Sequence, residues 1–150
     1  MLSAGDSVPD ATVQNEAGER ISLEDLVRTR VVLYFYPKAD TPGCTNESQQ
    51  FRDLYARFKK KQTEVIGISR DATASQKKFR DKYGLPFHLL ADVDSQVCNA
   101  FGVIVEKNMY GKKSLGIQRS TFLIEKGRVL RVWPKVSVEG HAAEVLSSLS

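Results

Sequence analysis

Cys44, Cys98, His88 and His141 are the four residues of this chain best suited to nucleophilic, basic or metal-binding chemistry. The histidines are isolated, and neither stands at ligand spacing with another His or Cys, which argues against a zinc site. No CxxC pair is present, so a thioredoxin-type dithiol is excluded, and GxGxxG, GxxxxGKS/T and GxSxG are absent as well. Cys44 differs from Cys98 in its setting. It follows the apolar run Val31-Val32-Leu33-Tyr34-Phe35-Tyr36, closed by Pro37, and precedes residues with helical periodicity. Sites in open α/β sheets lie beyond the carboxyl ends of strands. A thiol in the first turn of the following helix meets free backbone N–H groups and the positive dipole end, which favour its thiolate, the nucleophilic form. The same residue also reads as a small buried apolar group, the commoner fate of a free cysteine. Placement alone leaves both readings open.

The elements that hold Cys44 follow from periodicity. Residues 11–22 read as a hairpin turning at Glu16-Ala17-Gly18, and Ser22-Leu23-Glu24-Asp25 opens a short capped helix. The run 31–36 is a strand buried on both faces. Phe51, Leu54, Tyr55 and Phe58 recur at i, i+3, i+4 and i+7, predicting an amphipathic helix over 44–60. A second buried strand is expected at 65–69, a helix at 73–83 stopped by Gly84 and Pro86, and a short strand at 88–91. Residues 94–101 form a short helix. Residues 120–125 and 129–133 flank Lys126-Gly127-Arg128 as a hairpin, and 139–149 is a closing helix. Alternating strands and helices imply a parallel core with right-handed crossovers, and the terminal hairpins add antiparallel strands. This is the layout of a thioredoxin-like α/β three-layer sandwich with a central mixed sheet, helices on both faces and an N-terminal hairpin. Other mixed-sheet folds share the pattern.

Length and composition agree. The 150 residues favour one domain, since domains commonly run about 100–150 residues. Hydrophobic residues are 41 % and charged residues 27 %, close to globular averages, which excludes a disordered chain. The longest apolar run, Val31 to Pro37, is far short of the roughly 20 residues of a membrane span. Residues 1–6 carry no basic region followed by an apolar run, so no secretory leader is signalled, and two cysteines suggest a reducing, cytoplasmic setting. Net charge is +4 and unevenly spread: residues 57–82 and 106–135 each carry a basic excess. Lys59-Lys60-Lys61 lacks interleaved aromatics or a nucleic-acid motif, so these segments read as solvated helix faces.

The spacing Pro37-x-x-x-Thr41-x-x-Cys44 resembles the active-site signature of the peroxiredoxins. Phe35-Tyr36-Pro37-Lys38 and Thr41-Pro42-Gly43-Cys44-Thr45, with Glu47 and Phe51-Arg52-Asp53, are similar to the bacterioferritin comigratory protein group, also called PrxQ. The likeness spans nearly the whole chain, through Gly5-Asp6-x-x-Pro9-Asp10, Leu89-Leu90-Ala91-Asp92, Met109-Tyr110-Gly111-Lys112 and Gly116-Ile117-Gln118-Arg119-Ser120-Thr121-Phe122. It implies a thiol-dependent peroxidase in which Cys44 is the peroxidatic nucleophile, passing through a sulfenic acid. Arg119 would favour the thiolate and the charge developing on the leaving oxygen. Thr41 would offer its hydroxyl to sulfur and peroxide, Pro37 would shield the pocket, and the Gly43 and Cys44 amides would hold a peroxide oxygen. Glu47 would orient Arg119. Hydrogen peroxide and organic hydroperoxides are the implied substrates, with no metal or organic cofactor, no nucleic acid or membrane partner, and a monomeric state.

One departure matters. Many members of this group carry a resolving cysteine five residues after the peroxidatic one, where this chain has Gln49, or in the next helix, here residues 73–83, which holds no cysteine. Cys98 adjoins Val97 on a short helix whose apolar residues face the sheet, and reads as a buried structural cysteine. A one-cysteine mechanism is therefore expected, with thioredoxin or glutathione and glutaredoxin reducing the sulfenic acid. Three alternatives stand beside it: a Cys44–Cys98 disulfide, a non-enzymatic redox-sensing or holdase module, and a nucleic-acid-binding role for the basic segments.

Overall fold

The computed structural model describes the backbone of residues 1–150 and every side chain but that of Met109. Two short strands, β1 (Thr12–Asn15) and β2 (Arg20–Ser22), lead into a one-turn helix, α1 (Leu23–Leu26), which Ser22 caps by accepting the Asp25 N–H. Then come β3 (Val31–Phe35), α2 (Pro42–Lys60), β4 (Glu64–Ser69), α3 (Thr73–Tyr83) and β5 (Leu89–Ala91). The chain continues through α4 (Gln96–Phe101), β6 (Ile104–Met109), β7 (Lys112–Ile117), β8 (Ser120–Glu125), β9 (Arg128–Trp133) and α5 (His141–Ser147).

Seven strands form one sheet in the order β2-β1-β5-β4-β3-β8-β9. β3, β4 and β5 run parallel, and the remaining pairings are antiparallel. Every residue of β3 is buried, as a strand covered on both faces requires. Its side chains alternate between two cores. Val32, Tyr34 and Tyr36 pack with Phe51 and Phe58 of α2, Phe79 of α3 and Val145 of α5. Val31, Leu33 and Phe35 pack with Leu23 of α1 and Val97 and Phe101 of α4. Three layers result, with the sheet in the middle.

The sequence expectations miss one element. β6 and β7 form a separate antiparallel hairpin, joined by Tyr110 and Gly111 at φ of 53° and 78°. Positive φ at both turn residues is the two-residue turn that suits strand twist. Their polar residues run together as Glu106-Lys107-Asn108 and Lys112-Lys113-Ser114, which leaves no apolar alternation to read.

Gly67 shows how the sheet sets the height of α2. It pairs in register with Tyr34, and a Cβ there would sit 2.8 Å from the Tyr34 ring and from Leu89 Cδ2. The missing side chain gives the ring its place, and the Tyr34 hydroxyl then meets Ser48 Oγ of α2 at 2.8 Å. A Gly67→Ala substitution forces these groups apart and is expected to destabilise the fold by about 1–3 kcal/mol in urea unfolding.

His141 anchors α5 in a similar way. Its Nε2 lies 2.8 Å from Thr121 Oγ1, and its ring packs edge-on to Phe51 and Trp133. Burial lowers its pKa from 6.5 to about 4, with Glu144 opposing and Arg119 adding to the shift. The unfolded chain therefore takes up this proton at a higher pH than the folded one. Stability present above pH 6.5 falls as pH drops towards 4, by on the order of 3 kcal/mol from this group. Denaturant midpoints measured across that range should fall in the wild type and change less in His141→Gln.

Candidate active site at Cys44

Pro37 closes β3 and is half-buried above the loop that follows. Two contacts fix that loop. The Ala39 N–H donates to Asp71 Oδ2 at 2.8 Å, and Asp71 also accepts from Ser69 Oγ at 2.6 Å. Asp40, at φ 58°, accepts from the Tyr83 hydroxyl at 2.6 Å and from Lys82 Nζ at 2.9 Å. The loop is thus tied to the end of β4 and to α3.

Thr41 occupies the cap position of α2, and its carbonyl accepts the Thr45 N–H at 2.8 Å. Its hydroxyl does not cap the helix; it donates to the Lys38 carbonyl at 2.8 Å. To serve the sulfur or a peroxide, as expected from the sequence, that hydroxyl has to turn away from Lys38. Pro42 begins the helix, where a missing N–H does no harm. The Gly43 and Cys44 amides are left untaken by the cap and lie in the first turn, where a negative charge is stabilised.

Cys44 is 1 % exposed. Arg119, which directly precedes β8, reaches over the start of α2. Its Nη2 lies 3.3 Å from Cys44 Sγ and its Nη1 donates to Glu47 Oε1 at 2.7 Å. Cys44 and Glu47, three residues apart, share one face of the helix. Gly43 makes the approach possible, since a Cβ there would lie 3.2 Å from Arg119 Nη2. Arg119 itself is held through its carbonyl, which accepts the Val136 N–H at 3.0 Å. The structure thus brings Cys44, Arg119, Glu47 and Gly43 into direct contact, with Thr41 at the helix cap and Pro37 at the end of the strand.

Glu47 is 1 % exposed, and its Oε2 is buried without a hydrogen-bond partner. Burial raises its pKa from 4.5 to about 7, although the Arg119 charge and hydrogen bond pull it down. Burial also works against the Arg119 charge, but Glu47 and Cys44 outweigh it and the guanidinium stays protonated. The net effect is a cation held against a buried sulfur, beside a carboxyl poised near neutrality.

Cys98 stands apart. It is fully buried in α4, within the core on the sheet face opposite to that of Cys44. Its N–H donates to Asp92 Oδ2 at 2.8 Å, and burial followed by Asp92 pushes its thiol well above the ordinary range. Among the described residues, no cluster of His, Cys, Asp and Glu is arranged to hold a metal ion, and no helix is long and apolar enough to cross a membrane. Sequence reasoning missed Asp71 and Tyr83. Both lie more than two dozen residues from the loop they fix, on elements brought to it only by the fold.

A buried cysteine at a helix start, faced by an arginine that leads into a neighbouring strand of the mixed sheet in a three-layer fold, defines a class. Residues 4–132 match the AhpC/TSA family, and the chain belongs to it. It is 50 % identical over 141 residues to peroxiredoxin Bcp of Xanthomonas campestris, covering 93 % of this chain and 88 % of that one. It is 42 % identical over 149 residues to peroxiredoxin Bcp of Bacillus subtilis, covering 99 % and 95 %. A solved structure of the Xanthomonas campestris bacterioferritin comigratory protein, described in terms of alkyl peroxide reduction, superposes with a TM-score of 0.88 at 41 % identity over 95 % of this chain and 96 % of that one. Within the family the chain is a peroxiredoxin of the Bcp/PrxQ group, a thiol-dependent peroxidase.

The Glu47 geometry has a pH signature. The folded protein keeps the Glu47 proton up to about pH 7, whereas an unfolded chain releases it near 4.5. Its contribution to stability is complete below 4.5 and lost as pH rises through 7. Glu47→Gln should flatten this part of the stability profile. By removing a negative charge beside Arg119, it should also move the Cys44 thiolate titration, followed by ultraviolet absorbance, to lower pH.

Proposed function

We propose that this chain reduces hydrogen peroxide and organic hydroperoxides by a one-cysteine mechanism with an external thiol as reductant. The Cys44 thiolate attacks one peroxide oxygen, the S–O bond forms and the O–O bond breaks. The displaced oxygen takes a proton and leaves as water or an alcohol, and Cys44 becomes a sulfenic acid. Arg119 favours the attacking thiolate and the charge growing on the displaced oxygen, the Gly43 and Cys44 amides receive a peroxide oxygen, and Glu47 orients the guanidinium. Thr41, its hydroxyl turned from Lys38, donates to the peroxide, and Pro37 limits water at the sulfur.

An incoming thiol then attacks the sulfenic sulfur and releases water, leaving a mixed disulfide. A second thiol cleaves that disulfide and restores Cys44. The observation that carries this reading is the placement of the two cysteines on opposite faces of the sheet. A disulfide needs Cα atoms within about 7 Å, which from these positions requires dismantling the sheet or the helices that flank it. The groove beside the loop, about 560 Å³ and lined in part by Lys38, Ala39, Asp40 and Phe79, offers a place for the reductant to approach. Thioredoxin, or glutathione with glutaredoxin, has the required chemistry. The monomer and the cytoplasmic setting expected from the sequence accord with this scheme.

Intact mass under non-reducing conditions, after one equivalent of hydrogen peroxide, tests it. Wild type and Cys98→Ser should both gain one oxygen, trapped on Cys44 by a sulfenic-acid reagent. A loss of two hydrogens in the wild type that is absent from Cys98→Ser would overturn the one-cysteine scheme. A covalent dimer in the wild type would do so as well, by showing an intermolecular disulfide.

A further inference from the structure

Lys107 of β6 pairs in register with Ser114 of β7. Its side chain instead runs across Gly116: a Cβ on Gly116 would lie 3.1 Å from Lys107 Cδ, 3.2 Å from Cε and 3.5 Å from Nζ. The amine is thereby carried two residues along β7, towards the end where the chain continues through Gln118 to Arg119. A side chain at this position would press the lysine stem aside by a few tenths of an ångström. The base of the hairpin is fixed at the same place, because the Gln118 N–H donates to the Val103 carbonyl at 2.7 Å and Arg70 Nη2 to the Leu115 carbonyl at 3.0 Å.

Lys107 is half-buried, and among the described residues no carboxylate lies within ion-pair distance of it. The hairpin's own ion pair, Lys113 with Glu106, leaves it out. Burial and then Arg119 work against its charge, the Cys44 sulfur works in its favour, and Arg70 opposes it. An ammonium set among two other cations needs a negative neighbour. The path across Gly116 leads towards Arg119, whose Nη2 lies 3.3 Å from the Cys44 sulfur, and that sulfur is the group that favours the lysine charge.

We propose that Lys107 is a second cation of the Cys44 site, folded across Gly116 towards Arg119 so that its charge adds to the guanidinium's in favouring negative charge on the sulfur and on the oxygen it displaces. It acts through the field at the site rather than by contact, as a positioning residue. The proposal rests on Cys44 being the nucleophile.

Four variants test it: Lys107→Met, Lys107→Arg, Gly116→Ala and, as a control on the same hairpin, Lys113→Met. The readouts are the ultraviolet thiolate titration and the stopped-flow rate of Cys44 oxidation by hydrogen peroxide. All variants are made in a Cys98→Ser background, which leaves Cys44 as the one thiol of the chain. Lys107→Met should move the titration to higher pH and slow oxidation roughly three- to tenfold at neutral pH. Gly116→Ala keeps the lysine but displaces its stem, and should shift both readouts the same way by less. Lys107→Arg should restore most of the effect, and Lys113→Met should match the Cys98→Ser parent. A titration unmoved in both Lys107→Met and Gly116→Ala overturns the proposal, even if rates fall. If Lys107→Met does not fold, the Gly116→Ala titration decides alone. A wild type that forms no sulfenic acid would instead remove the nucleophile reading on which the proposal stands.

Discussion

The guanidinium of Arg119 is the constraint around which this molecule is arranged. Its side chain is 17 % exposed and reaches two buried partners on α2, the Cys44 sulfur and one oxygen of Glu47. Removing a cation from water is costly unless its donors find acceptors in good geometry. The second Glu47 oxygen has none, so the arrangement carries an unrelieved burden. It persists because the strand that follows Arg119 and the helix bearing the other two are both held independently of it.

That holding is spread over the sheet and the elements packed on it. Tyr34 rises through the gap at Gly67 to meet Ser48, one turn beyond Cys44. His141 and Thr121 tie α5 to β8, the strand that begins at the residue after Arg119. On the other side, Asp71 and Tyr83 fix the loop that delivers the start of α2. Together they hold the guanidinium 3.3 Å from the sulfur, the fixed geometry that electrostatic preorganisation requires.

The parts of the design legible in the sequence are those whose physics is local. The fully apolar run at Val31 to Tyr36 reads as a central strand because a strand covered on both faces needs no polar residue. The helix over residues 44–60 shows in the spacing of Phe51, Leu54, Tyr55 and Phe58, although it begins two residues earlier, at Pro42. The order of Pro37, Thr41 and Cys44 carries the site through resemblance. What escaped reading is non-local or polar. The β6–β7 hairpin lacks apolar alternation and turns on Tyr110-Gly111 rather than an asparagine-glycine pair. The direction of the Thr41 hydroxyl depends on a carbonyl three residues back. The contacts of Asp71 and Tyr83 exist only once α3 has folded over the loop.

The placement of Cys44 and Cys98 on opposite sides of one sheet gives the molecule two internal reporters of different motions. Cys44 lies in the first turn of α2, and a thiol-specific reagent gains access to it when that single turn frays. Cys98 is sealed between α4 and the sheet, with its backbone bound to Asp92, and the same reagent reaches it only when that layer separates. Hindered labelling at the first measures a local opening free energy, and at the second one that approaches global stability. The ratio of the two labelling rates ranks substitutions by whether they loosen the reactive turn or the whole architecture, without any assay of turnover.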